Sequence, residues 1–319
     1  MSKLKLGLYW AASCGGCDIA VLEIGDRLLT LVEHADIVFW PCVADFKYKD
    51  VENYEDGYID VCLFNGCIRN EENLHIAELL RKKSKVLVAY GSCATEGCIP
   101  GLGNLTDSEA IKKYAYEESP STGNPKKVHP RAKTKVKAGE LTIPEMFKYV
   151  RTLGQVADVD YFMPGCPPVA EQIWAVIGVI LSGELPPKGS VIGVNPKTVC
   201  DECEKTKDEK RVKQFFRPHM LKDIDPEKCL LEQGLICNGP ATRAGCGALC
   251  PDVNLGCRGC YGPAEGIQDM GGKLAGAIAS IIDSDDPEEI EKVVDQIVDP
   301  VGTFYRFNLP SSLLGRRVS

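Results

Sequence analysis

The chain has 319 residues, 44% of them hydrophobic, enough to bury a sizeable core and compatible with two domains or with one domain and a large extension. A net charge of −8 and a pI near 5.2 argue against a nucleic-acid binder, although the basic run from Lys126 to Lys137 leaves room for a local contact patch. No run of about 18 apolar residues supports a membrane span, and the apolar run at the N-terminus is too short for a signal peptide. A cytoplasmic location is therefore expected, where the sixteen cysteines stay reduced and serve metal ligation in preference to disulfides.

In chain order, "KLGLYW" (5–10) predicts a first strand and residues 17–34 a helix, followed by a strand at "ADIVFW" (35–40). The irregular spacing up to the next strand, "YIDVCLFNG" (58–66), assigns no helix there. A helix at 71–83 and a strand at "KVLVAYGS" (85–92) follow, then a polar, Lys-rich insertion over 104–142 of the kind found on surfaces or at partner contacts. Helices near 144–157 and 168–182 flank a fifth strand at "VDYFMPG" (159–165), and "IWAVIGVILSG" (173–183) fits a buried helix. This alternation predicts an α/β fold, a flavodoxin-like, doubly wound, mostly parallel sheet over residues 1–185.

After "LPPKGS" (185–190) the rhythm stops. Residues 186–319 read as a second, irregular domain, rich in Cys, Gly and Pro over 200–263, where a metal or cluster would supply the cross-links that burial cannot. C-terminal helices close the chain: one within "GIQDMGGKLAGAIASIID", and one from Pro287. For the latter, Asp286 is the expected cap and Glu289 the partner in a capping box. Its apolar face is Ile290, Val293, Val294, Ile297 and Val298.

In open parallel sheets, the loops beyond the carboxyl ends of the strands converge on one edge. Cys14 and Cys17 follow the first strand in "SCGGC", Cys93 the fourth in "GSCA", and Cys166 the fifth in "PGCPP". Four thiols would thus meet where related folds bind phosphate, and thiolates select zinc or iron–sulfur centres. Gly15 and Gly16 permit a tight turn there. Each cysteine taken alone also reads as a small core residue. Cys62, in mid-strand, is assigned to the core, while Cys42, Cys67 and Cys98 keep open roles.

Eight further cysteines fall in the second domain. Sequence proximity gives Cys200, Cys203, Cys229 and Cys237 to one four-thiolate site, and Cys246, Cys250, Cys257 and Cys260 to another. Spacing alone does not separate structural zinc from iron–sulfur clusters. Three such sites, one of them on the ligand edge of a sheet, suggest an electron relay.

Together "SCGGC", "GSCA", "PGCPP" and the C-terminal cysteine set resemble the small subunit of nickel–iron hydrogenases, most closely the F420-non-reducing (methyl-viologen-reducing) type of methanogenic archaea. The resemblance implies three [4Fe-4S] clusters in a line. The proximal one would be held by Cys14, Cys17, Cys93 and Cys166, the medial one by Cys246, Cys250, Cys257 and Cys260, and the distal one by Cys200, Cys203, Cys229 and Cys237. Cys200 stands where periplasmic members place a histidine, and Cys250 where they place a proline beside a three-iron cluster, so both sites are expected to be four-iron. Gly16 stands where oxygen-tolerant relatives carry an extra cysteine, which implies an ordinary proximal cluster and oxygen sensitivity. Where many members carry a glutamate after the third strand this chain reads "FNGC", so no acidic role is carried over there.

The implied partners are a hydrogenase large subunit that contains the Ni–Fe site, with no nickel in this chain, and a small iron–sulfur subunit that feeds heterodisulfide reductase. No residue of this chain is expected to be catalytic. Two alternatives stand beside this reading: a cluster-bearing subunit of another redox complex, such as a quinone-reductase relative, and a zinc-stabilised scaffold. The former would be favoured by adjacent Cys-Cys ligands, and the first domain has none. His34, His75, His129 and His219 lie outside the cysteine motifs and read as structural or solvated, and the charge run "EKTKDEKRVK" (204–213) as a solvated face beside the distal site, with partner docking as the alternative.

Overall fold

A computed structural model describes residues 3–208, 211–221 and 223–315. Five parallel strands form the central sheet: β1 (Leu4–Trp10), β2 (Ala35–Phe39), β3 (Ile59–Asn65), β4 (Ser84–Tyr90) and β5 (Tyr161–Met163), in the order 2-1-3-4-5. This is the flavodoxin-like, doubly wound order. Side chains alternate between two faces along each strand. Leu6, Leu8, Val61, Leu63, Val88 and Tyr90 face one core cluster, and Tyr9, Cys62, Phe64, Leu87 and Ala89 the other. Cys62 is fully buried in the second cluster, as a core cysteine should be.

The first face is covered by α1 (Gly16–Leu22), α2 (Arg27–His34) and α5 (Ala170–Ser182), and the second by α4 (Glu71–Lys83). Asn70 caps α4 by accepting from the Asn73 amide, and Glu71 and Glu72 open the helix while Arg81, Lys82 and Lys83 close it, matching the helix dipole. The helix expected over 17–34 is two helices, because the chain turns at Gly25 with φ +65°. Between β2 and β3, where the sequence assigns no helix, α3 spans Tyr48–Asn53. α5 is buried on one face only, through Ile173, Val176, Ile177 and Ile180.

The segment 144–157 is not a helix. Met146–Arg151 is a strand, antiparallel to Ile68–Asn70, followed by a 3-10 turn at Leu153–Gln155. Its β-branched and aromatic residues suit a strand, and the Asn104 side chain clamps it, donating to the Val150 carbonyl at 2.9 Å and accepting from its amide at 2.8 Å. Within the insertion, a hairpin of Lys133–Val136 and Gly139–Thr142 is exposed at every position.

Beyond Val199 the backbone is held by short turns and bridges. α6 (Met270–Ala279) and α7 (Pro287–Val294) pack around a separate apolar cluster containing Leu274, Ile278, Val293 and Ile297. Asp286 caps α7 through the Glu288 amide, but Glu289 turns to Ser284 Oγ at 2.7 Å instead of completing a capping box. Val294 and Val298 are exposed, whereas Val293 and Ile297 join the apolar cluster, so the buried face is narrower than the expected one. In the charge run, Lys205 is buried, donating to the Pro226 carbonyl at 2.5 Å and to Asn254 Oδ1 at 2.7 Å. That corrects the expectation of a solvated face at this residue; positions 209 and 210 lie outside the described residues.

Asp160, with its side chain 1% exposed, ties three elements. It pairs with Arg81 Nη1 and Lys188 Nζ, both at 2.6 Å, and accepts from the Leu87 amide at 2.8 Å. Burial on its own would raise this carboxyl, but Lys188 and Arg81 hold it below the usual carboxylate range. Its contribution to stability is therefore full at neutral pH and is lost as pH falls through the lowered value. Asp160→Asn is expected to cost about 2 kcal/mol in urea unfolding at pH 7, with the difference from the parent chain shrinking in acid.

Candidate functional site

The carboxyl edge of the sheet gathers the first thiol set. After β1 the chain turns through Gly15, whose φ of +78° and close approach to the Trp10 indole admit only glycine. Cys14 is exposed on this turn, and Cys17 lies buried in the first turn of α1. After β4, Gly91 (φ +80°) lies so near Cys17 Sγ that a Cβ would overlap the sulfur. Cys93 follows within the short helix Ser92–Thr95, and Cys166 lies just beyond β5. Cys166 packs against Cys93 and Gly91 against Cys17 Sγ, so the loops that carry these thiols converge at this edge.

Ser92 links this edge to the C-terminal region. Its hydroxyl donates to the Cys260 carbonyl and accepts from the Gly165 amide at 2.9 Å. Cys166, Cys246, Cys250, Cys257 and Cys260 line one cavity of about 310 Å³, which brings the second set beside the first. Tyr261 anchors it to α5, donating to Gln172 Oε1 at 2.7 Å and accepting from the Val169 amide at 3.1 Å.

Cys200, Cys203, Cys229 and Cys237 surround a smaller cavity of about 20 Å³. Glu202 spans the second and third sets by accepting from the amides of Gly245 (2.7 Å) and Gly247 (3.0 Å). The Cys257 amide donates to Cys237 Sγ at 3.2 Å. The sets thus touch in series: first to second through Cys166 and Cys260, second to third through Cys257 and Cys237. Sequence order does not carry this series, because the third set precedes the second along the chain.

Burial pushes the Cys17 and Cys257 thiols far up, and those of Cys200 and Cys260 up to about 12. Thiols so desolvated ionise only beside a positive charge, which a bound metal supplies. The donors are soft sulfur throughout, with backbone amides directed at Cys14 Sγ (3.4 Å) and Cys237 Sγ. This donor chemistry fits iron–sulfur clusters. Among the described residues, no three His, Cys, Asp or Glu side chains close to single-ion coordination.

Of the cysteines with open roles, Cys67 is buried and donates to the Ala12 carbonyl at 3.1 Å, fixing the turn before Cys14. Cys42 is exposed and lies 3.6 Å from Asp18 Oδ1. Cys98, buried with Cys93 and Phe307, places its sulfur 3.6 Å from Cys166 Sγ, a fifth thiol at the first set. Its position five residues after Cys93 is the one signal of this in the sequence. His129 pairs with Glu117 in the insertion at 2.9 Å.

The chain is an α/β protein with a flavodoxin-like sheet, and the family described as NADH ubiquinone oxidoreductase, 20 Kd subunit, matches residues 14–180. An F420-non-reducing hydrogenase iron-sulfur subunit of Archaeoglobus profundus is 42% identical over 326 residues, 99% of each chain. The F420-non-reducing hydrogenase of Methanothermobacter marburgensis has a subunit that is 37% identical, covering 99% of this chain and 97% of its own. A reduced, active form of the Ni-Fe-Se hydrogenase from Desulfomicrobium baculatum shares the fold, with a TM-score of 0.50 at 18% identity over 83% of this chain and 96% of that one. This chain belongs to the family of F420-non-reducing hydrogenase iron–sulfur subunits, oxidoreductase components that act on H2.

Gly91→Ala tests the packing around Cys17. Gly183 has a similar φ, +74°, with nothing within 4 Å of where a Cβ would stand, so Gly183→Ala isolates the backbone strain, about 1–3 kcal/mol. Gly91→Ala is expected to lower the denaturation midpoint clearly more than Gly183→Ala does, the excess reporting the displaced sulfur.

Proposed function

We propose that this chain is the electron-transferring small subunit of a cytoplasmic [NiFe] hydrogenase, in which H2 is oxidised in a separate large subunit. The electrons would pass through three [4Fe-4S] clusters to a small iron–sulfur partner that feeds heterodisulfide reductase. The observation that carries this reading is the serial contact of three all-thiol sets, beginning at the ligand edge of the sheet. Full-length identity to F420-non-reducing hydrogenase subunits favours it over a quinone-reductase type of complex, whose family description covers residues 14–180.

Bound clusters would supply one-electron chemistry. In this reading Cys14, Cys17, Cys93 and Cys166 hold the proximal cluster, Cys246, Cys250, Cys257 and Cys260 the medial one, and Cys200, Cys203, Cys229 and Cys237 the distal one. The protein's own part is to fix the sulfurs, exclude water and set the charge around them. Buried Tyr90 donates to the Cys17 carbonyl at 2.9 Å and so holds the first turn of α1 against β4. Lys207 Nζ donates to the Cys203 carbonyl at 3.0 Å and places a cation beside the distal set, where it favours thiolate. All-thiolate ligation at the distal site keeps its potential below that of imidazole-ligated centres.

The large subunit would dock over exposed Cys14, Trp10, Ile19 and Leu22, an apolar patch beside the proximal set. No described helix is long and apolar enough to cross a membrane. A division near residue 185 separates the sheet domain from the region that carries the medial and distal sets in this proposal.

Anaerobic purification with iron, sulfide, zinc and nickel analysis tests it. About twelve irons per chain, from three four-iron centres, are expected, with nickel only in the co-purifying large subunit. Cys→Ser at Cys17, Cys203 or Cys257 should each remove about four irons. Zinc in place of iron and sulfide would overturn the reading.

A further inference from the structure

The loop after β3 carries a guanidinium that nothing in the described chain pairs. Gly66, at φ +104°, passes so close to Ala11 that a Cβ would overlap its backbone. The next residue, Cys67, exchanges backbone hydrogen bonds with Ala12 at 3.0 and 3.2 Å, which ties this loop to the one before Cys14. Arg69 follows two residues later, in the short strand Ile68–Asn70 that leads into α4. It is half-buried, and its Nη1 is shut off from water with no hydrogen-bond partner. The other half-buried arginines are engaged: Arg27 and Arg81 with carboxylates, Arg243 and Arg306 with backbone carbonyls, and Arg151 over the Phe147 ring. Among the described residues the Arg69 guanidinium has no such contact.

A guanidinium only donates, and it keeps its charge throughout the pH range of a folded protein. Held half out of water without a carboxylate it costs stability, and an anion in hydrogen-bonding geometry offsets that cost. The acids of this edge are committed elsewhere. Asp18 accepts from Trp40 Nε1 at 2.8 Å and from Asn65 Nδ2 at 2.7 Å, and Glu71 Oε2 accepts from the Glu145 amide at 3.1 Å. A chain with 45 acidic and 37 basic residues thus leaves a cation unpaired here, open to a carboxylate from outside. The exposed apolar side chains of Trp10, Ile19 and Leu22 lie at the same sheet edge, and Trp10 is in register with Asn65 at the end of β3.

We infer that Arg69 is a docking residue for the large subunit, which supplies an aspartate or glutamate to pair with its guanidinium. The inference rests on the function proposed above, which provides that partner and the edge it covers. The charge of a guanidinium is spread over the planar group, so a carboxylate on its open side also relieves the buried nitrogen. The apolar side chains supply contact area, and Arg69 supplies register, because a bidentate guanidinium–carboxylate pair fixes orientation.

The test uses the affinity-tagged full chain, loaded with iron and sulfide under anaerobic conditions, and titrates binding of the nickel-bearing large subunit. The iron content and melting temperature of the chain alone are measured beside it. Arg69→Met keeps the apolar stem of the side chain and removes the charge. It is expected to weaken large-subunit binding at least about tenfold, with full iron and a melting temperature of the chain alone that stays level or rises, since an unpaired charge has left a half-buried site. Arg69→Lys keeps a cation without the planar fork and should fall between Arg69→Met and the parent. Unchanged binding in Arg69→Met material with full iron would overturn the inference, as would loss of the iron–sulfur acceptor with the large subunit retained. Where Arg69→Met does not fold, Arg69→Gln is measured in its place. Failure of both to fold would assign Arg69 a role inside the chain and overturn it equally. Parent chain with full iron that binds no nickel-bearing subunit would instead overturn the reading on which the inference rests.

Discussion

A thiolate withdrawn from water is costly unless positive charge stands beside it, and the rest of this structure depends on that constraint. The desolvated sulfurs of Cys17, Cys200, Cys257 and Cys260 are pushed well above the ordinary thiol range. A bound metal's charge turns such groups into ligands. Beyond Val199, where regular elements are short and the apolar clusters small, bound metal would also be the main cross-link, so occupancy and folding are coupled in the proposed protein.

The sheet domain solves a different problem. Its two apolar faces are sealed by helices, which leaves the carboxyl edge as the place where loops can carry polar chemistry. Glycines at positive φ let those loops turn tightly against the sulfurs, as Gly15 does under Trp10 and Gly91 beside Cys17. Ser92 then joins the edge to the Cys260 backbone, and Tyr261 reaches back to α5. The first and second thiol sets are thereby fixed with respect to each other by direct bonds, which suits an electron path that tolerates little change in distance.

Strand periodicity is legible in the sequence because each strand has one side chain set for each core, so Leu6 and Leu8 alternate with Gly7 and Tyr9. The segment 146–151 misleads because its apolar residues satisfy a helical spacing as well as a strand spacing. Pairing with Ile68–Asn70 and the Asn104 clamp make the choice, and these partners lie far away in sequence. Lys205 looks solvated among charged neighbours, yet a carbonyl and an amide oxygen from distant segments take its ammonium inside.

The sequence by itself determined the class of fold and the supply of soft donors, because residue type and local spacing limit what strands, turns and thiols can do. Only the tertiary structure joined the Ser92 hydroxyl to the Cys260 carbonyl and the Cys257 amide to Cys237 Sγ. It alone also showed that Cys98 stands beside Cys166 and that Arg69 is half-buried without a partner among the described residues. The physical reason is that order in space and the solvation of a charge depend on neighbours brought together by folding, which adjacency along the chain does not record.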